Sequence, residues 1–499
     1  MKRGSGVLMH ISSLPGPYGV GCFGSEVLDF ARLLVKAGIS YWQVLPFSIP
    51  GAANSPYMSV SAFAGNPMFI DPEDLQKKGW VTVEERRTLE SHGDPHKADF
   101  GHCTEKRDHF LRKAFGRISE KTRREVEDFI ENREWLQDLA LFLMIRRIND
   151  GKPWWLWSDD DLRRHDPYSL AAMKDRYREE YLYHGFVQYL FFTQWNALKK
   201  EMNSLGIRVI GDIPIYVSKD SVDVWSHRKL FQIDDALNFL KVAGVPPDYF
   251  SEKGQLWGNP LYAWSAHADE DYRWWRSRLS NNFGLYDLLR IDHFRGFSSY
   301  WSVDADREDA IIGTWEKGPG QTFFDRIRLD HSDLPIIAED LGEATEDLKD
   351  FLESTGFPGM RVFQFGFDEE EDNKHRPHNY SRSCVAYSGT HDNDTSVGWY
   401  NNLSEENAEA VREYCGLDLY DAGADRPEGI CKGIIRSVMQ SHAGLVIFPL
   451  QDILFMDTSR RMNIPGTQTG NWSVRFLHGE IKKTDAEWLY KMNWLCGRI

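Results

Sequence analysis

Short runs of apolar residues recur along the chain, and each is bounded by polar or turn-forming residues. Eight of them have the length and composition of β-strands: 6–10, 41–46, 207–214, 287–292, 335–340, 361–367, 384–390 and 444–450. Most are separated by segments with helical periodicity. Strands that alternate with helices favour a parallel sheet, and eight such units favour a closed (β/α)8 TIM barrel of the α/β class.

The spacing between these strands is uneven, which predicts insertions. Residues 66–206 are charged and strongly helical in pattern, so we predict a mainly helical insertion subdomain there. Residues 218–286 are rich in Trp, Tyr, Pro and Gly, which indicates an aromatic-rich loop insertion over the active site at the barrel mouth. Without a Pro-, Gly- or Ser-rich linker to divide the chain, 1–499 is predicted to form one catalytic barrel domain.

The charge balance narrows the class of partner. The chain has 59 Lys and Arg against 75 Asp and Glu, a formal net charge of −16, and it contains no run of five basic residues. Nucleic acids and anionic membrane surfaces are therefore not expected partners. Aromatic residues make up 13% of the chain. They fill cores, but Trp beside polar residues also suits the flat, half-apolar rings of sugars.

The cysteines and the lengths of the apolar runs predict the compartment in which the protein works. The six cysteines form no C-x-x-C pair, so neither a zinc site nor a disulfide framework is indicated. The apolar run at 6–11 is shorter than the core of a signal peptide, and no run is long enough to span a bilayer. We expect a soluble, cytoplasmic protein.

One glycine pattern fits a nucleotide-binding loop as well as a purely structural one. Residues 19–24 fit Gly-x-Gly-x-x-Gly and precede a predicted helix, as in dinucleotide-binding loops. The preceding strand ends well before the first glycine, and the next strand ends without the acidic residue that would hold a ribose. The glycines are therefore predicted to shape a loop, and no nucleotide cofactor is expected.

Acidic residues lie at the ends of several predicted strands, where barrel enzymes place their catalytic groups. In the stretch 288–296, Arg290 and Asp292 point to the same side of a strand because side chains repeat every two residues. A guanidinium beside a carboxylate favours its ionised form, as a carboxylate nucleophile requires. A structural ion pair at a strand end fits the same pattern.

Two further strand ends offer candidate acids. Residues 335–340 end in Glu339 and Asp340, of which at most one faces the barrel mouth, and the pattern does not choose between them. Residues 387–394 contain Asp392 and Asp394; a turn in which Asp and Asn cap the following helix fits the same pattern, and Asp394 suits that capping role better than Asp392. Three acids at three strand ends would supply a nucleophile, a general acid/base and a substrate-binding group, which is what retaining glycoside chemistry needs.

These stretches together resemble the 4-alpha-glucanotransferases, the amylomaltase or disproportionating-enzyme family of the alpha-amylase superclan. The resemblance runs nearly from end to end, and its motifs occur in the family's order. They lie at 55–57, 211–216, 244–250, 255–260, 290–296, 338–342, 356–360, 389–395 and 461–467.

The resemblance implies specific roles. Asp292 matches the family's nucleophile, Glu339 its general acid/base, and Asp392 the acid that holds the donor sugar. The substrate-binding residues that it implies are Tyr57, Asp212, Trp257, Arg290, His391 and Asn463. The implied function is transfer of alpha-1,4-glucan segments between maltooligosaccharides by double displacement, with no metal or organic cofactor.

Two alternatives remain at this point: an alpha-glucan hydrolase of the same superclan, and a catalytically silent glucan-binding protein. The chain also departs from the family pattern at 302–304, 455–459 and 474, which the resemblance places near acceptor-side loops. None of these departures touches the three carboxylates.

Overall fold

The computed structural model describes twelve β-strands and twenty α-helices in residues 3–247, 252–342, 346–367, 372–417, 426–467 and 469–499. The strands are β1 (Gly4–Leu8), β2 (Tyr41–Gln43), β3 (Arg208–Pro214), β4 (Lys241–Val245), β5 (Gln255–Pro260), β6 (Leu288–Asp292), β7 (Ser299–Asp304), β8 (Thr314–Lys317), β9 (Ile336–Ala338), β10 (Gly359–Val362), β11 (Cys384–Tyr387) and β12 (Leu445–Pro449).

The helices surround these strands or lie between them. They are α1 (Ser25–Lys36), α2 (Pro72–Lys77), α3 (Val83–Arg87), α4 (Phe100–Phe115), α5 (Glu120–Glu131), α6 (Glu134–Ile148), α7 (Asp160–Arg163), α8 (Pro167–Arg176), α9 (Arg178–Ser204), α10 (Val222–Ser226), α11 (Trp264–Asp269), α12 (Arg273–Leu285), α13 (Gln321–Asp330), α14 (Glu346–Thr355), α15 (Ser396–Asn401), α16 (Glu405–Cys415), α17 (Pro427–Gln440), α18 (Leu450–Ile453), α19 (His478–Ile481) and α20 (Ala486–Leu495). In the described ranges, none of these helices combines the length and apolarity needed to cross a membrane.

Eight strands close into a parallel barrel in chain order, β1-β2-β3-β6-β9-β10-β11-β12, and β12 pairs again with β1. The predicted fold class is therefore confirmed, and every predicted strand is present. Most of the real strands are shorter than the apolar runs that predicted them, because several runs continue into the loops at the barrel mouth. The strands carry almost continuous buried apolar residues, as expected for a parallel sheet covered on both faces.

Residues 66–206 hold α2 to α9. The long helix α9 anchors this segment to the barrel through aromatic packing: Phe191 lies 5.2 Å from Phe23, and Trp195 lies 4.7 Å from Phe47, measured between ring centroids. Both Phe191 and Trp195 are fully buried. The helical segment thus shares the core that surrounds β1 and β2.

Residues 218–286 differ from the predicted loop system. They contain α10, α11, α12, β4 and β5, and the two strands join β7 and β8 in an antiparallel sheet of order β5-β4-β7-β8. The sheet therefore extends past residue 286. The sequence does not predict β4 and β5 because both strands are short, contain Gly, and do not alternate cleanly between buried and exposed positions; β5 also contains Pro.

Candidate active site

The carboxyl ends of neighbouring barrel strands bring the predicted residues to one mouth of the barrel. Strand register accounts for the first contact, because Asp212 on β3 pairs directly with Arg290 on β6. Asp292 follows on the same face of β6, two residues along the strand. These three side chains form the base of the site.

Arg290 bridges two carboxylates. Its Nη1 lies 2.7 and 2.8 Å from the two carboxylate oxygens of Asp212, and its Nη2 lies 3.0 Å from Oδ1 of Asp292. Asp212 and Arg290 are buried, whereas the side chain of Asp292 keeps 30% of its surface exposed. Burial opposes the charge on Arg290, but Asp212 and Asp292 hold its pKa well above its ordinary value. The cluster therefore places a guanidinium against Asp292 and leaves the side chain of Asp292 open to the mouth.

Glu339 is tied to the end of β6. The N–H of His293 donates to its Oε2 at 2.6 Å, and the N–H of Leu341 donates to Oε1 at 3.0 Å. His293 has a left-handed backbone (φ 50°, ψ 48°), which turns the chain immediately after β6. Burial, followed by the negative charge of Asp292, raises the pKa of Glu339 to about 8. This carboxyl therefore carries a proton at neutral pH.

The neighbouring acid, Asp340, faces a different environment. It is 7% exposed and accepts hydrogen bonds from the N–H of Met360 at 2.6 Å and from Nη1 of Arg361 at 3.1 Å. These contacts tie β9 to β10. The structure thus separates a structural acid, Asp340, from Glu339, which interacts electrostatically with Asp292.

Tyr57 joins the base of the site to a further strand end. Its hydroxyl donates to Oδ2 of Asp212 at 2.8 Å and lies 3.5 Å from Nδ1 of His391. The rings of Tyr57 and His391 stack, with centroids 5.1 Å apart and an interplanar angle of 17°. Burial and the charge of Asp212 raise the pKa of Tyr57 well above its ordinary value, so the phenol stays a donor.

Asp392 follows β11, and a neighbouring side chain contacts each of its two carboxylate oxygens. Nδ2 of Asn463 donates to its Oδ1 at 2.6 Å, and Nε2 of His391 lies 3.3 Å from Oδ2. The side chain of Asp392 is 43% exposed, so it remains open to a ligand. Asp394, by contrast, accepts hydrogen bonds from the N–H of Thr395 and the hydroxyl of Thr458 and stabilises the turn.

Trp257, on β5, covers the other side of the mouth. Its ring lies 4.8 Å from that of His293 at an angle of 87°, and its indole N–H donates to Oε1 of Gln255 at 3.2 Å. The structure therefore brings all nine predicted site residues into one connected group. In the neighbouring motif, residues 248–250 lie outside the described residues.

Sequence reasoning assigned no role to three residues that hold this group together. His293 donates its N–H to Glu339, and Arg461 donates to the carbonyl of Asp392 at 2.6 Å. Trp472 packs against both Tyr57 and His391. His293 and Arg461 stand inside motifs at 290–296 and 461–467, but their contacts join residues far apart in the chain. In the described ranges, no group of three or more His, Cys, Asp or Glu side chains forms a metal-ligand set.

The fold and these carboxyl groups define a class of protein. Asp292 and Glu339 stand at the ends of adjacent parallel strands, with Ile291 paired to Ala338. Retaining glycosidases bring two carboxyl groups to the two sides of one glycosidic bond, and neighbouring strand ends place these two side by side. A carboxyl group paired with a guanidinium, beside a second carboxyl with a raised pKa, at the mouth of an eight-stranded parallel barrel with a third acid nearby, is the site of a retaining glycoside-acting enzyme.

Comparisons with known proteins identify the family. A model of the 4-alpha-glucanotransferase family matches residues 9–480. The chain is 42% identical to the 4-alpha-glucanotransferase of Thermus thermophilus over 491 residues, covering 96% of each chain. It is 38% identical to the chloroplastic/amyloplastic 4-alpha-glucanotransferase of Solanum tuberosum, over 95% of this chain and 82% of that one.

A solved structure agrees with these matches. The amylomaltase of Streptococcus agalactiae, in complex with acarbose, superposes with a TM-score of 0.95 at 38% identity, covering 100% of both chains. The chain therefore belongs to the 4-alpha-glucanotransferase family. The resemblance predicted from its motifs is confirmed, and the hydrolase alternative is not favoured.

Proposed function

We propose that this enzyme disproportionates alpha-1,4-glucans: it cleaves a segment from one maltooligosaccharide and passes it to the 4-hydroxyl of another. Membership of the family supports this activity. The observation that carries the proposal is the pairing of Asp292, which accepts a hydrogen bond from Arg290, with Glu339, whose pKa is raised to about 8. Glu339 thus offers a proton at neutral pH beside a carboxyl group that faces a guanidinium.

In the first displacement, a carboxylate oxygen of Asp292 attacks the anomeric carbon of the donor and forms a covalent β-glucosyl ester. The glycosidic C–O bond breaks at the same time, and Glu339 gives its proton to the departing oxygen. Neutral Glu339 and anionic Asp292 are the protonation states that this step consumes.

In the second displacement, Glu339 is the base. It accepts the proton of the 4-hydroxyl of an incoming glucan, whose oxygen attacks the anomeric carbon and breaks the ester to Asp292. Two inversions retain the alpha configuration and regenerate both carboxyl groups. The charges balance between the two acids, so the reaction requires no metal or organic cofactor.

The remaining predicted residues hold the donor ring. We assign the hydroxyls of that ring to Asp392 with Asn463 and to the cluster of His391, Tyr57 and Asp212, because these donors and acceptors surround the reacting pair. Trp257 covers the glucan on the opposite side. The acarbose complex of the Streptococcus agalactiae amylomaltase supports a glucan-shaped ligand.

We further propose a cytoplasmic location. Five of the six cysteines are buried and all six are free, as is usual in a reducing compartment. The maltooligosaccharide substrates proposed here act as both donor and acceptor.

Incubation with maltotriose tests the proposed function. Transfer is expected to yield glucose and oligosaccharides longer than maltotriose, while the total number of reducing ends stays constant, because the ordered site places a sugar rather than a water against the ester. Chromatography of the products and a reducing-end assay on the same samples measure both quantities. A steady rise in reducing ends would show hydrolysis and contradict the proposal.

A further inference from the structure

Trp472 packs against Tyr57 and His391, two of the residues assigned to the donor ring, and has an unusual backbone conformation. Its backbone is left-handed (φ 63°), which is uncommon for a residue other than glycine. Its indole is 8% exposed and packs on two rings, that of Tyr57 at 5.6 Å and that of His391 at 5.8 Å between centroids. The side chain therefore backs both members of the Tyr57–His391 stack.

Backbone contacts on both sides hold Trp472 in this conformation. Its own N–H donates to the carbonyl of Met462 at 2.8 Å. The following residues lie against the helical segment: the N–H of Ala98 donates to the carbonyl of Ser473 at 2.6 Å, and Lys97 forms an antiparallel bridge with Val474. A left-handed residue persists only where its surroundings impose it, and such residues cluster at functional sites.

The orientations of the Tyr57 and His391 rings determine their contacts with Asp212 and Asp392. Tyr57 must lie where its hydroxyl reaches Asp212 at 2.8 Å, and His391 must present Nε2 to Asp392 at 3.3 Å. The N–H of Asn463 also donates to the carbonyl of His391 at 3.1 Å. A rotation of either ring would therefore disturb the groups on both sides of the donor ring.

We propose that Trp472 is a positioning residue for the donor sugar: it holds Tyr57 and His391 in register with Asp212 and Asp392, and residues 97–98 of the helical segment hold Trp472 in place. This inference rests on the proposed function, which assigns Tyr57 and His391 to the donor ring. It also gives the helical segment a part in catalysis, because that segment reaches the site through these contacts.

Substitution of Trp472 by leucine tests this role. Because small misplacements of binding groups raise the barrier steeply, Trp472→Leu is expected to lower kcat for maltotriose about 10- to 100-fold. The KM for glucose as an added acceptor is expected to stay within about twofold of the parent value, since the two rings on which Trp472 packs are assigned to the donor sugar. Trp472→Phe keeps a flat ring and is expected to retain kcat within about threefold.

Trp157→Leu is the matched control. Trp157 is also buried and packs on two rings, those of Phe142 and Trp225, but it lies away from the site. Its substitution is expected to lower the melting temperature without changing kcat per folded molecule. Ala98→Pro, which removes the N–H bonded to Ser473, provides a second variant and is expected to lower kcat with Trp472 intact.

Two results would overturn the inference: Trp472→Leu with kcat within twofold of the parent, or an equal loss of kcat in Trp157→Leu. Circular dichroism and melting curves confirm that each variant is folded before kinetics. The test compares the rate of donor cleavage in each variant with the rate in the parent enzyme. Donor cleavage is counted whether the segment then passes to a sugar or to water, so the comparison does not depend on the proportion of hydrolysis. Failure of the proposed function appears separately, as a rise in reducing ends with the parent enzyme.

Discussion

Substitution of Asp292 by asparagine is expected to lower kcat for maltotriose about 10⁴-fold or more, while glucan affinity stays within about threefold of the parent. The amide has the shape of the carboxylate but cannot form the ester to the anomeric carbon. It still accepts a hydrogen bond from Arg290, so the base of the site is expected to remain in place. Product analysis measures kcat, and isothermal titration with maltotriose measures binding.

Asp304→Asn is a suitable control for this substitution. Asp304 is an exposed acid on β7 that forms a 2.7 Å ion pair with Lys241, and its substitution is expected to leave kcat unchanged. Normal disproportionation by the Asp292→Asn variant would show that the nucleophile is a different group. Absence of turnover in the parent enzyme would instead support a glucan-binding protein without catalysis.

Substitution of Glu339 by glutamine is expected to lower kcat for maltotriose about 10³-fold, since the proton for the departing oxygen is lost. The parent enzyme needs this proton. Burial and the charge of Asp292 raise the pKa of the Glu339 carboxyl to about 8. The kcat/KM of the parent enzyme is therefore expected to fall as pH rises through about 8. Rates measured from pH 6 to pH 10 test this alkaline limb.

The same pKa has a consequence for stability. The folded chain holds the Glu339 proton more tightly than the unfolded chain, whose carboxyl has an ordinary pKa of 4.5. This group therefore lowers the free energy of unfolding as pH rises from about 4.5 to about 8. Glu339→Gln removes the titration, so melting temperatures over this range are expected to fall less in the variant than in the parent.

Asp340→Asn separates the two adjacent acids. Asp340 joins β9 to β10 through Met360 and Arg361, so its substitution is expected to lower the melting temperature. The charge of Asp340 is the weakest of the causes that act on the pKa of Glu339, so the alkaline limb is expected to persist and to move only slightly to lower pH. An alkaline limb that persists in Glu339→Gln, or that disappears in Asp340→Asn, would contradict the assignment of Glu339 as the general acid.

The barrel could be predicted from the sequence because its strands are buried on both faces and therefore appear as separate apolar runs. The sheet of β4, β5, β7 and β8 could not, since its strands are short and partly exposed, and β4 and β5 are interrupted by glycine. A strand shows in the sequence when its buried side makes a regular apolar pattern. These strands bury too few side chains to make such a pattern.

The site divides in a similar way. That Arg290 and Asp292 share a face follows from the two-residue repeat of a strand. The difference between Glu339 and Asp340 depends on partners such as His293 and Arg361, which only the closed barrel brings near. Trp472 lies more than 400 positions from Tyr57 in the chain, so nothing in the local pattern predicts their contact.

Trapping of the covalent intermediate tests the central claim most directly. A maltosyl fluoride donor carries a leaving group that needs little protonation, so the Glu339→Gln variant is expected to form the glycosyl ester and to release it slowly. Intact mass spectrometry is then expected to show the addition of one maltosyl group, and peptide fragmentation is expected to place it on Asp292. A label on another residue, or turnover of the fluoride with no labelled enzyme at any time, would contradict the double displacement proposed here.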